Sequence, residues 1–167
     1  MLQNPILISP SQVADDARLQ SVIDLFEHLK FEDVMHLGDW YSEGCFFKDP
    51  FNEVQGLPAT QQVFIHMFQN LLEPRFIVLD AVARGDQCFL VWDFRFRLKS
   101  RPLQLQTIHG SSHLRWNAQG RVSYHRDYWD AAEQFYEKLP LLGPVLRWIK
   151  KRLAATATST IPCDGNR

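Results

Sequence analysis

Along the first half of the chain apolar side chains recur every three to four residues, and from residue 75 onward they alternate with a period of two. The first half therefore reads as helices and the second as strands. Leu19, Val22, Ile23, Phe26 and Leu29 define an amphipathic helix. Asp15 and Asp16 suit its electropositive N-terminus. A second helix is expected over 32–42, with Val34, Leu37 and Tyr41 on its inner side. "CFFKDP" reads as a short strand ended by Pro50, and "FNEVQG" as a turn and small strand stopping at Gly56. Pro58 sits where a first-turn proline is welcome, and Val63, Phe64, Met67, Phe68 and Leu71 make the following helix amphipathic. "RFIVLDAVARG", "QCFLVWDFRFRLKS", "LQLQTIHGSSHLRW" and "RVSYHRDYWD" are then successive strands. Turn-forming breaks at 85–86, 100–102 and 117–120 join them into an antiparallel meander. Asp130 caps a helix expected to run through Lys138. Pro140, Gly143 and Pro144 interrupt it, and helix resumes over 145–153.

The expected organisation is an irregular lead-in over 1–14, one α+β domain over 15–135, a basic amphipathic helix within 136–153, and a small, polar, disordered tail over 154–167. No internal repeat is present. Strand parity sorts side chains by face. Cys88, Leu90, Trp92, Phe94 and Phe96 share the inner face, while Asp93, Arg95 and Arg97 share the convex one. Ile108, Gly110, Ser112 and Leu114 point inward, so His109 and His113 point outward. In "YHRDYWD", His125, Asp127 and Trp129 share one face, and Tyr124, Arg126 and Tyr128 the other.

Composition narrows the function classes. The 167 residues are 46% hydrophobic and 22% charged, which fits one domain with a real core. Aromatic content is high at 13%, enough to fill a wide core or to line an apolar cavity. A net charge of −1 gives no basic field for nucleic acid. Three cysteines, Cys45, Cys88 and Cys163, lack metal-ligand spacing and point to a reducing, cytoplasmic location. The first residues have no basic n-region of a secretory signal, and no apolar run is long enough to span a bilayer.

The element order and three motifs resemble the nuclear transport factor 2-like superfamily, which includes ketosteroid isomerase, limonene epoxide hydrolase and the SnoaL-like polyketide cyclases. "FFKDPF" resembles the isomerase segment that carries the general base, at Asp49 here. "SSHLRWNAQGRV" resembles the last hairpin, where Ser112 takes the place of an oxyanion-binding aspartic acid. "HRDYWD" resembles the end of the last strand of limonene epoxide hydrolase, where an aspartate of the acid–base set falls on Asp127. The resemblance implies a cone-shaped, curved sheet closed by N-terminal helices around a deep apolar pocket. It implies a homodimer through the convex sheet face and acid–base chemistry without a cofactor. The expected lining is Phe26, Phe47, Phe64, Phe68, Trp92, Phe94, Ile108, Ser112 and Trp129. The match is partial. The isomerase's first-helix tyrosine aligns with Leu25 or Phe26, Asp93-x-Arg95 reverses the hydrolase's Arg-x-Asp, and Phe47 replaces its water-holding tyrosine.

Two function classes follow. In the first, Asp49 and Asp127 exchange protons with a small lipophilic molecule and His125 assists, so that isomerisation, dehydration, cyclisation or hydrolysis would fit. In the second, the pocket binds a ligand or is filled by its own rings, and the domain is a binding or interaction module. Asp49 then caps the Pro50 turn, and Asp127 is a bonded structural carboxylate. No metal site is expected, because His109 and His113 have the wrong parity to join His125 and Asp127. "LLGPVLRWIKKRL" places Leu142, Val145, Leu146, Ile149 and Leu153 at helical spacing beside Arg147, Lys150, Lys151 and Arg152. Packing on the domain or on a partner copy is the plain reading; peripheral membrane contact is the sharper one.

Overall fold

The computed structural model describes residues 16–134 and 142–153, which divide between Trp129 and Asp130 into two compact units. The lead-in and the tail lie outside the described residues.

The first unit begins with α1 (Ala17–His28), whose buried face is Leu19, Val22, Leu25 and Phe26. Asp16 caps it by accepting from the Arg18 backbone N–H at 3.0 Å. The Arg18 guanidinium beside it holds the Asp16 carboxyl below its ordinary range. That guanidinium also donates to the Gly85 carbonyl at 2.8 Å and lies 4.4 Å over the Trp116 ring. One side chain thus pins the start of α1 to the turn at Gly85 and to the neighbouring Trp116.

The helix expected over 32–42 is instead a short α2 (Phe31–Met35), a 3-10 turn (Leu37–Asp39) and the start of β1 (Tyr41–Lys48). Tertiary pairing overrides the helical spacing here: the Val122 N–H donates to the Trp40 carbonyl at 2.8 Å, and Tyr41 pairs with Val122. β2 (Glu53–Gln55) and α3 (Leu57–Asn70) follow, hinged on Gly56 at φ +94°, a conformation that favours glycine. The meander is β3 (Leu71–Arg84), β4 (Gln87–Leu98), β5 (Arg101–Trp116) and β6 (Val122–Tyr128).

The six strands form one curved sheet in the order β2-β1-β6-β5-β4-β3. Its pairs are antiparallel except β1 with β6, which run parallel and make the sheet mixed. This joins the early strand to the end of the meander and sets Phe47 opposite His125. The fold is the expected α+β class. α1 packs on β3, and α3 packs on β1 and β3. The inner residues of β4, Cys88, Leu90, Trp92, Phe94 and Phe96, are buried, whereas their neighbour Phe89 is 47% exposed. Trp92 fits because its register partner is Gly110: a Cβ there would meet the indole at 2.4 Å.

In the second unit, α4 (Ala131–Gln134) starts at Asp130, whose carboxylate accepts from the Glu133 N–H at 2.9 Å. The expected continuation to Lys138 lies outside the described residues. α5 (Leu142–Leu153) begins three residues earlier than the expected 145. Pro144 does not prevent this, since the N–H groups of a first turn have no helical partner. No described helix is long and apolar enough to cross a membrane.

Candidate functional site

The inner faces of β4, β5 and β6 converge on a buried row of polar groups. His125 and Asp127 sit two apart on β6 and share a face. Ser112 on β5 is the register partner of Asp127. His125 Nε2 lies 2.8 Å from Asp127 Oδ1, and Ser112 Oγ donates to the same oxygen at 2.5 Å. Trp92 Nε1 donates to Ser112 Oγ at 2.8 Å. On the other side Tyr41 Oη lies 2.7 Å from His125 Nδ1. The result is one continuous chain, Trp92–Ser112–Asp127–His125–Tyr41, drawn from four strands.

Burial makes this chain costly to leave incomplete. His125 is 2% exposed, and Phe26, Phe47 and Tyr41 surround its ring, with Phe47 edge-on at 4.9 Å. An unmade hydrogen bond in such a place costs about 1–3 kcal/mol. Proton accounting assigns the donors. Burial first, and then the charge of Asp127, push the Tyr41 phenol well above its ordinary value, so Tyr41 carries a proton. Its recorded partner is His125 Nδ1, which therefore accepts, and Nε2 carries the imidazole proton and donates to Asp127. Asp127 Oδ1 receives two donors. Among the described residues no donor to Oδ2 is recorded, and the side chain keeps 14% of its surface exposed.

This end of the chain faces a small cavity lined by Phe26, Phe64, Phe76, Val78, Leu90, Trp92, Ser112, His125 and Asp127. Its volume is about 10 Å³, room for about one water. A larger hollow of about 560 Å³ lies elsewhere, along α1, at Gln20, Asp24, His28, Asp33 and Trp40. Its polar groups are already engaged: Trp40 donates to Ser21, Gln20 to Asp24, and Asp33 holds the Lys30 N–H.

The structure brings together Asp127, His125, Phe26, Phe64, Trp92 and Ser112 of the residues singled out from sequence. It does not bring Asp49 to them. Asp49 Oδ1 accepts from the backbone N–H groups of Phe51 and Asn52 at 2.7 and 2.6 Å, and the Asn52 amide donates to both carboxylate oxygens. Trp129 meets Phe51 edge-on beside this turn, and Phe68 meets Phe31. Phe47, Phe94 and Ile108 are buried behind the cavity wall, with Phe94 stacked on Phe76. His109 pairs with Asp93 and His113 with Gln87, so neither joins His125. Among the described residues, no group of three His, Cys, Asp or Glu could hold a metal ion.

Tyr41 is the participant that sequence reasoning missed. Helical spacing with Val34 and Leu37 places it on the expected helix, whereas β1 buries it on one face with Cys45 and Phe47. Phe76 and Val78 lie on an expected strand and Leu90 on the expected inner face, but none of the three is in the expected lining.

Comparison with known proteins decides the family. The model of the SnoaL-like domain matches residues 22–125. The chain belongs to the SnoaL-like domain family. No curated protein matches. Among solved structures, an NTF2-like protein of unknown function from Burkholderia pseudomallei K96243 superposes with a TM-score of 0.62 at 15% identity, over 71% of this chain and 94% of that one. A protein proposed to be a SnoaL-like polyketide cyclase, from Shewanella putrefaciens CN-32, gives 0.59 at 18% identity, over 71% and 96%. An LEH-like epoxide hydrolase from M. tuberculosis gives 0.57 at 13% identity, over 71% and 84%. At these identities the likeness is one of fold, and in this SnoaL-like chain the chemistry rests on its own residues.

Proposed function

We propose that the domain performs cofactor-independent acid–base chemistry on a small lipophilic molecule, with Asp127 as the group that exchanges a proton with it. The observation that carries this reading is the hydrogen-bond chain, which occupies Asp127 Oδ1 twice and leaves Oδ2 without a recorded donor among the described residues. Ser112 and His125 hold the carboxylate in place, and Tyr41 holds His125 in the tautomer that donates to it. A substrate C–H or O–H proton passes to Oδ2 and is returned to a second atom of the substrate. That balance fits an isomerisation or a cyclisation. Phe26, Phe64 and Phe76 supply an apolar grip, and their rings must shift to admit more than a water-sized volume. Asp49 plays no part in this proton transfer; its carboxylate serves the turn.

The test is turnover of a panel of lipophilic carbonyl compounds in deuterated water, followed by NMR. Asp127→Asn is expected to retain the folded state and lose about 10²-fold or more in proton exchange. Unchanged exchange in that variant removes Asp127 from the chemistry.

The small cavity favours a second reading: the rings of Phe26, Phe64 and Phe76 fill the pocket, and the polar chain serves to specify the core of a binding module. Under it, no member of the panel exchanges with the wild-type protein.

The convex sheet face is further proposed to meet a second copy. Phe89 stacks on His113, Tyr124 stacks on Phe46, and Leu105 is 52% exposed. Light scattering is expected to give a dimer mass that Phe89→Glu halves. A monomeric wild-type protein ends this part of the reading. The two described cysteines, Cys45 and Cys88, are buried and free, which suits the reducing cytoplasm.

A further inference from the structure

Three apolar side chains at helical spacing along α5 are exposed. Val145, Ile149 and Leu153 stand four apart, so they lie one above another along one helix face. They are 54%, 39% and 80% exposed, and Trp148 beside them is 56% exposed. A soluble chain rarely leaves such a stripe bare without a partner.

The charges around it indicate what the partner is. Between Glu137 and Asp164 the sequence holds five Lys or Arg and no Asp or Glu, in a chain whose net charge is −1. Lys150 pairs with Glu133, while Lys151 and Arg152 are exposed. The Arg152 guanidinium lies 4.4 Å over the Trp148 ring, so a cation and an indole share the border between the apolar and basic sectors. A protein surface would have to supply a groove and a matching set of carboxylates. An anionic bilayer supplies both needs at once, with acyl chains directly beneath a plane of phosphates. Twelve residues of helix extend about 18 Å, too short to cross a hydrocarbon core of about 30 Å, so such a helix lies in the plane of the interface.

We propose that α5 is an in-plane anchor that docks this protein reversibly on anionic lipid. Val145, Ile149 and Leu153 enter the acyl boundary, Trp148 sits at the headgroup level, and the basic residues meet lipid phosphates. The inference is independent of the chemistry assigned to Asp127.

The full chain is tested by co-sedimentation with vesicles of phosphatidylcholine alone or mixed with phosphatidylglycerol. Binding to the mixed vesicles only is expected, with loss at high salt and a blue shift of emission that is absent in Trp148→Phe. Lys151→Glu with Arg152→Glu is expected to weaken binding about tenfold or more. Val145→Ser with Ile149→Ser is expected to abolish it. All four positions are exposed, and circular dichroism confirms folding of each variant. Absence of binding overturns the proposal, and so does binding to phosphatidylcholine alone or binding that the variants leave unchanged. A change of oligomeric mass in the serine variant without lipid binding in the wild type shows that a second copy covers the stripe instead.

Discussion

At the scale of single residues, the site depends on which atom carries each proton. Tyr41 matters because it is the donor that keeps His125 Nδ1 an acceptor. Tyr41→Phe removes that donor and nothing of the ring's bulk. It is expected to destabilise the fold by about 1–3 kcal/mol, the cost of a buried acceptor left unpaired. It also releases the constraint on the tautomer. Histidine ¹⁵N shifts of the wild type at neutral pH are expected to place the His125 proton on Nε2, and the variant is expected to show a mixture. A wild-type proton on Nδ1 would overturn the assignment. His125 and Asp127 were legible from parity alone, because a strand puts i and i+2 on one face. Their mutual bond was not, since it depends on side-chain rotation that Ser112 and Tyr41 fix from other strands. Asp49 shows the opposite case: the motif around it resembles that of a catalytic base, while three donors from Phe51 and Asn52 engage its carboxylate locally.

At the scale of elements, the meander was readable because each strand buries one face and exposes the other, so the period of two survives in the sequence. The short elements before it were less so. The helix expected over 32–42 gives way to β1 because the energy that decides it comes from β6, some eighty residues later, through the Val122–Trp40 and Tyr41–Val122 pairing. The parallel β1–β6 pairing belongs to the same class of non-local facts. A local pattern finds a strand but not its neighbour. The start of α5 at Leu142 differs from the expected 145 for another reason: Pro144 lies in the first turn, where a proline does not interrupt a helix.

At the scale of the whole molecule, buried acids couple the fold to pH. Burial pushes the Cys88 thiol up to about 12 and holds the Tyr41 phenol well above its ordinary value. Each is an acid whose folded form keeps its proton longer than the unfolded chain does. Their contribution is therefore complete below the unfolded values, near about 8.5 for Cys and about 10 for Tyr, and is lost as pH rises from there toward the folded ones. Urea unfolding is expected to show stability falling between pH 9 and 12, by about 1.4 kcal/mol per pH unit for each group in its window. Cys88→Ala is expected to flatten the lower part of that slope, and an identical slope would contradict the assignment. The same burial that creates this alkaline limb gives the site its character: polar groups from β1, β4, β5 and β6, walled by rings, with Asp127 Oδ2 reached by no donor among the described residues. The most direct measurement of that claim is proton exchange into a panel of lipophilic carbonyl compounds by wild-type protein and Asp127→Asn, side by side. Exchange by the wild type and its loss by about 10²-fold or more in a variant that still folds is the expected result. Equal exchange by both proteins, or none by the wild type, would contradict the account.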